Sequence, residues 1–266
     1  MQEKSDYQHI QTEVQGHIAW LRFNRPTKSN ALHYEHLCEI EAALLDLRNS
    51  ATVRCVIVTG NGKHFSSGAD LTDAGEDYKV PLVLRRRRMR MGERVIKALL
   101  DTDQITIAAW NGAAMGGGGC IAAACDFRIG TAESFLQLPE IDIGLNLMWK
   151  SLPLFTTLAG PARAKQLVVG GLRVFGPQLL DWGLLDELVS PEDLSATALA
   201  WAERYAAKPP VAAQMIKQSI NQLAYAQDSA IMHMDTDQNM YASGTQDRKV
   251  AVQAYLEKSK PEFTGD

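Results

Sequence analysis

Residues 110–126, WNGAAMGGGGCIAAACD, hold four consecutive glycines between two apolar runs. A glycine inside a regular element costs about 0.5–1 kcal/mol relative to alanine. Four together are tolerated where a side chain would obstruct another backbone or a ligand. A dinucleotide fingerprint, G-x-G-x-x-G, fails here because the sixth position counted from Gly116 is Ile121. A phosphate loop fails as well: GNGKH (60–64) ends in His64 and lacks the first glycine's spacing. The glycines alone leave two readings open. One is close packing of a helix on a sheet, and the other is a backbone N–H site approached by a carbonyl oxygen.

The flanking sequence supplies the frame. ITIAAWNG (105–112) and RCVIVTG (54–60) are apolar runs ending at a turn, and HIAWLRFN (17–24) alternates as a half-buried strand does. FRIGT (127–131) and LLDELV (184–189) read as further short strands. ALHYEHLCEIEAALLDLRNS (31–50) spaces its apolar residues as a helix, and a second helix is expected from about 80 to 100. Strands alternating with helices indicate an α/β fold with parallel pairing. From about residue 192 the strand signals stop. EDLSATALAWAERYAAK, VAAQMIKQSINQLAYA, a segment near 228–243 and DRKVAVQAYLEKSK all read as helices, with Pro209-Pro210 between the first two. The expected division is an α/β body at 1–195 and a helical piece at 196–266.

TGNGKHFSSGADL (59–71) follows one strand and bares its backbone, as the glycine run does after another. Two such turns converging on one oxygen would make an oxyanion hole, two preorganised N–H groups aimed at developing negative charge.

Composition narrows the partners. The chain has 266 residues, 46% hydrophobic and 22% charged, with a formal net charge of -4. That charge argues against nucleic acid, whose binding is driven by clustered positive charge. The four cysteines form no C-x-x-C pair, and the polar start MQEKSDYQHI carries no secretory signal, so a reduced, cytoplasmic setting is expected. No apolar stretch approaches the ~20 residues of a membrane span. No histidine spacing suggests a metal site.

At this point the sequence resembles the crotonase (enoyl-CoA hydratase/isomerase) superfamily. NRPTKSNAL (24–32), TGNGKHFSSGADL, NGAAMGGGG followed by CDFRIGT, LQLPEIDIGL (136–145), the long GPARAKQLVVGGLRVFGPQLLDWGLLDELV (160–189) and DRKVAVQAYLEKSKPEF (247–263) occur in that family's order and spacing. The resemblance covers nearly the whole chain. It implies an α/β spiral of ββα repeats, a helical C-terminal trimerisation region and a coenzyme A thioester as substrate, with no separate cofactor. By position it implies oxyanion donors at the N–H groups of Ala69 and Gly117. It implies coenzyme A contacts among Lys28, Ser29, Ala31, Ser67, Asp70, Leu71 and Gly116. Lys28 reads equally as a solvated turn lysine. A homotrimer or dimer of trimers is the implied assembly. The C-terminal helices carry Trp201, Tyr205, Met215, Ile216 and Ile220. A chain this size buries some of these itself, while a helical appendage usually needs a partner surface.

The sequence departs from the two-carboxylate hydratases at one decisive position. Their second glutamate is retained as Glu140 in LPEIDIG, but the position of the first falls on Cys120. Hydration needs one group to activate water and another to manage the proton. One carboxylate suffices to move a proton between carbons, so isomerisation is favoured. GLNLMWKSLPL (144–154) agrees: it is bulky and apolar where hydratases carry P-G-x-G-G, and such side chains either exclude water from an acyl pocket or simply fill the core. Asp142 shares a face with Glu140 only if the backbone is extended there. An apolar setting would leave the Cys120 thiol inert. In the arginine run RRRRMR (85–90), an inward stripe of Leu84, Met91 and Val95 would turn the arginines outward, with one or two able to meet coenzyme A phosphates.

Overall fold

The computed structural model describes residues 7–70, 80–226 and 228–266. Leu71, an expected contact residue, lies outside them. Strands β1 (Ile10–Gln15) and β2 (Ile18–Phe23) form an antiparallel hairpin through Gly16. Helix α1 (Tyr34–Arg48), β3 (Cys55–Gly60), α2 (Leu82–Met89), α3 (Met91–Asp101) and β4 (Ile105–Trp110) follow. The glycine run then joins β5 (Ala113–Met115) to α4 (Gly117–Ala124). Beyond it come β6 (Phe127–Thr131), β7 (Phe135–Gln137), α5 (Leu152–Ala159), α6 (Pro161–Val168), β8 (Val174–Phe175), α7 (Gly176–Asp181) and β9 (Glu187–Val189). The remainder is helical: α8 (Leu194–Ala206), α9 (Pro210–Ala224), α10 (Asp228–Ile231), α11 (Asp235–Ala242) and α12 (Gln246–Glu257).

Six strands form one sheet in the order β1-β2-β3-β4-β6-β9, and β5-β7-β8 form a second. The expectation of parallel pairing holds from β2 to β9, but β1/β2 and β7/β8 are antiparallel. The two-residue connection from β1 to β2 permits no other arrangement. The sequence signal passes over β1 because only Ile10 of its six residues is buried.

The run CVIVTG is apolar throughout because both faces of its strand are covered. Val56 and Val58 join one core with Leu21, Phe23 and helix α1, while Cys55 and Ile57 join another with Trp20, Ile107 and helix α8. Helix α1 buries Leu37, Ile40, Leu44 and Leu47 at helical spacing. Each such side chain contributes about 1.5–3 kcal/mol. Alanines 198, 202 and 206 recur every fourth residue on α8, so the helix lies close against the sheet.

The helix at 80–100 is two helices that meet at Arg90 (φ -78, ψ 1). Met91 and Val95 are buried as expected, but Leu84 is 41% exposed, because α2 buries none of its residues whereas α3 packs into the body. Trp201 and Tyr205 do not belong to an open face. They pack on Phe127, with ring centroids 5.3 and 4.7 Å away, because α8 crosses the sheet itself. Met215, Ile216 and Ile220 on α9 remain exposed. That helix is anchored by the buried Lys217, whose ammonium meets Asp126 at 2.8 Å and donates to the Gln104 carbonyl at 2.7 Å.

Candidate active site

Backbone hydrogen bonds lace three loops into one unit. Ser66 N–H donates to the Ala113 carbonyl at 3.0 Å, and Met115 N–H returns to the Ser66 carbonyl at 2.9 Å. Leu32 N–H donates to Gly68, and Asp70 N–H donates to Leu32. Gly68 (φ +84) has the Met115 carbonyl oxygen 2.6 Å from where a Cβ would stand, so only glycine permits this approach. The first loop is fixed by Asn30, whose amide donates to the Asn61 and His64 carbonyls, and by Arg25, which pairs with Asp70 at 3.0 Å. Asp70 therefore stabilises the turn.

The lacing brings Ala69 and Gly117 to one cavity of about 310 Å³. Neither N–H has an acceptor among the described residues. Gly116 N–H is used by Gln137, so Gly117, the first residue of α4, carries the first unpaired donor. It sits at the positive end of that helix.

Glu140 enters the same cavity from a turn after β7. Its carbonyl accepts from Ile143 at 3.2 Å and Leu145 at 2.8 Å, and Gly144 (φ +70) turns the chain. Oε2 of Glu140 is buried with no hydrogen-bond partner. Burial pushes the carboxyl up to about 7, opposed by its own backbone N–H and assisted by the charge of Asp142. The turn is 3-10 rather than extended, so Asp142 does not share a face with Glu140 and is exposed. Cys120 lines the cavity as well. Burial raises its thiol well above the ordinary value, and the Glu140 charge adds to this, leaving a thiol rather than a thiolate.

The four glycines have separate reasons. A Cβ on Gly116 would stand 2.5 Å from Glu140 Oε1, and one on Gly117 would overlap the Trp149 indole. On Gly118 it would stand 2.7 Å from Ser66 Cβ, and on Gly119 2.5 Å from Leu136 Cδ1. The last two serve close packing between elements, and Gly116 and Gly117 border the cavity, so both readings of the glycine run apply, each to its own residues.

Ser67 and Gly116 line the cavity, whereas Lys28, Ser29, Ala31 and Asp70 do not. Lys28 is exposed in a short 3-10 turn and Ala31 is buried beside it. Ser29 adopts φ +52 and accepts the Ser67 N–H at 2.9 Å, so this loop supports the cavity from behind. His64 is structural, accepting the Ala113 N–H on Nδ1. Within the arginine run, Arg85 reaches the cavity, Arg86 donates from its guanidinium to both carboxylate oxygens of Asp237, and Arg90 pairs with Glu93. Sequence reasoning missed Asn146, Asn239, Arg248 and Tyr255 of the lining. Three of these come from α11 and α12, which reach the cavity by tertiary packing that no local pattern encodes. Among the described residues no cluster of His, Cys, Asp or Glu suits a metal ion, and no helix is long and apolar enough to cross a membrane.

Residues 13–266 match the enoyl-CoA hydratase/isomerase family. A short-chain-enoyl-CoA hydratase of Clostridium acetobutylicum is 31% identical, across 94% of this chain and 95% of that protein. A mitochondrial Delta(3,5)-Delta(2,4)-dienoyl-CoA isomerase of Mus musculus is 30% identical, across 97% and 83%. The crystal structure of an enoyl-CoA hydratase/isomerase from Xanthobacter autotrophicus Py2 superposes with a TM-score of 0.86 at 28% identity, covering 94% of each chain. With its α/β core, its laced glycine loops and these relatives, the chain belongs to the enoyl-CoA hydratase/isomerase family, and so to the crotonase superfamily, and is an enzyme of that type.

Proposed function

We propose that this enzyme shifts the double bond of an enoyl-CoA thioester, with Glu140 as the single proton carrier. Glu140 takes a proton from C2 of a 3-enoyl thioester, and the electron pair spreads onto the carbonyl oxygen as a dienolate. The N–H groups of Ala69 and Gly117 hold that oxygen. Glu140 then returns the proton to C4, leaving the 2-enoyl thioester. Every step is a proton movement through one carboxylate, so the chemistry calls for no metal or redox cofactor.

The observation that carries this reading is the Glu140 carboxylate, its Oε2 buried without a partner, in a cavity shared with two unpaired backbone donors. A pKa near 7 suits a group that must both take and give a proton near neutral pH. The two N–H groups would strengthen as charge develops on the oxygen. Ser67 and Gly116 border the thioester, and Arg85 at the cavity is placed for the pantetheine or phosphate end of coenzyme A.

Hydration is the competing reading, since relatives are named as hydratases. Cys120 stands against it, because the cavity holds no second carboxylate at that position to orient water. Initial rates on 3-enoyl-CoA and 2-enoyl-CoA of matched chain length test the choice. Isomerisation is expected to exceed hydration substantially. Efficient hydration with no isomerisation across several chain lengths overturns the proposal, and acyl-CoA binding without any turnover identifies a silent thioester-binding protein.

A further inference from the structure

Trp149 is held in place more firmly than a filler residue needs to be. Its φ is +67 and that of Lys150 is +54. Bulky residues enter this left-handed region only where their surroundings hold them there. Lys150 N–H donates to the Asp235 carboxylate at 2.6 Å, and Lys150 Nζ pairs with Glu93 at 2.7 Å. Asp235 is itself buried, and Asn146 donates to its carbonyl at 3.3 Å. The Ser151 hydroxyl donates to the Trp149 carbonyl at 3.2 Å. The indole drops between two helices where each has a glycine: a Cβ on Gly92 of α3 or on Gly117 of α4 would overlap it. The ring fills the space that a side chain on either glycine would need, and its left-handed backbone is tied down on the Lys150 side by Asp235 and Glu93.

The ring also stands next to the chemistry. Gly116 faces Glu140 and the adjoining Gly117 faces Trp149, so Trp149 and Glu140 border the same part of the cavity. The cavity of about 310 Å³ is near the lower end of small-molecule sites, roughly 300–1,000 Å³. Part of it must also take the thioester and the end of the pantetheine arm.

We propose that Trp149 is the specificity-determining residue of the site, a rigid stop that restricts the enzyme to short acyl chains. This rests on the reading of the cavity as an acyl-CoA site. The test uses saturated butyryl-, octanoyl- and dodecanoyl-CoA, which bind without turnover, titrated calorimetrically into wild type, Trp149→Ala and Trp149→Leu. Wild type is expected to bind butyryl-CoA most tightly. In the variants the preference for octanoyl- over butyryl-CoA is expected to rise by about tenfold or more, because each methylene newly buried contributes about fourfold. Trp149→Leu carries the same comparison if the alanine variant does not fold. An octanoyl-to-butyryl ratio unchanged within about twofold, or wild type binding dodecanoyl-CoA more tightly than butyryl-CoA, overturns the proposal. Wild type that binds none of the three thioesters overturns the acyl-CoA reading itself, and the proposal with it.

Discussion

The Glu140 carboxylate lies against the bare α-carbon of Gly116, with Oε1 2.5 Å from where a Cβ would be. Gly116 also has φ +46, a conformation that disfavours any other residue. Gly116→Ala is therefore expected to displace the carboxylate and strain the turn together. Activity is expected to fall at least about a hundredfold, the lower range of a general-base contribution. Steady-state kinetics on a folded variant check this, and a loss smaller than about threefold would show that Glu140 need not sit there.

Glu140→Gln keeps the volume of the side chain but cannot take a proton. The loss is expected in kcat more than in KM, by about 10²–10⁴-fold. Retention of more than about a tenth of wild-type kcat removes Glu140 as the base.

The pH profile follows from burial. Glu140 must be ionised to act as a base, and its pKa is raised from 4.5 to about 7. The sign is that kcat/KM rises with pH up to about 7 and levels above it. An inflection at 4.5, the ordinary carboxylate value, contradicts the buried setting.

The same shift predicts a stability effect of the opposite sense. Below pH 4.5 the carboxyl is protonated both folded and unfolded, and burial exacts nothing from it. Between 4.5 and about 7 the folded state binds more protons than the unfolded one, so the group's contribution to stability is lost as pH rises. At pH 8 Glu140→Gln is thus expected to be more stable than wild type by about 1–3 kcal/mol, with no gap below pH 4.5. Denaturant titrations at the two pH values measure it, and a gap that does not depend on pH refutes the cause.

Met215, Ile216 and Ile220 present an exposed apolar face on α9, which suits a homotrimer or dimer of trimers. Light scattering at micromolar concentration is expected to give a mass of three or six chains, and Ile216→Glu to lower it. A wild-type monomer mass rules the assembly out.

Cys120→Glu places a second carboxylate at the cavity. Two carboxylates so close would raise one pKa and supply an acid near neutral pH, so hydration is expected to rise relative to isomerisation. The ratio of the two rates, compared with wild type on one acyl chain, measures the change. A ratio that stays the same or falls counts against the missing carboxylate as the reason for isomerase preference.

Much of this protein was legible in the chain. The apolar run CVIVTG dictates a strand covered on both faces, and the spacing of Leu37, Ile40, Leu44 and Leu47 dictates a helix against it, because each pattern repeats with the period of its own backbone. The glycine run and SSGAD mark bare backbone directly, since glycine's missing side chain is itself a sequence feature. Tertiary structure alone decided what each glycine faces. Gly116 meets a glutamate 24 positions along, Gly117 meets Trp149, and Gly118 and Gly119 meet Ser66 and Leu136. It also decided that Leu84 stands in solvent and that Trp201 and Tyr205 cover Phe127. Periodicity reports that a residue has an apolar face, whereas its neighbour is fixed by the packing of distant elements, and so is the burial that lifts the Glu140 pKa.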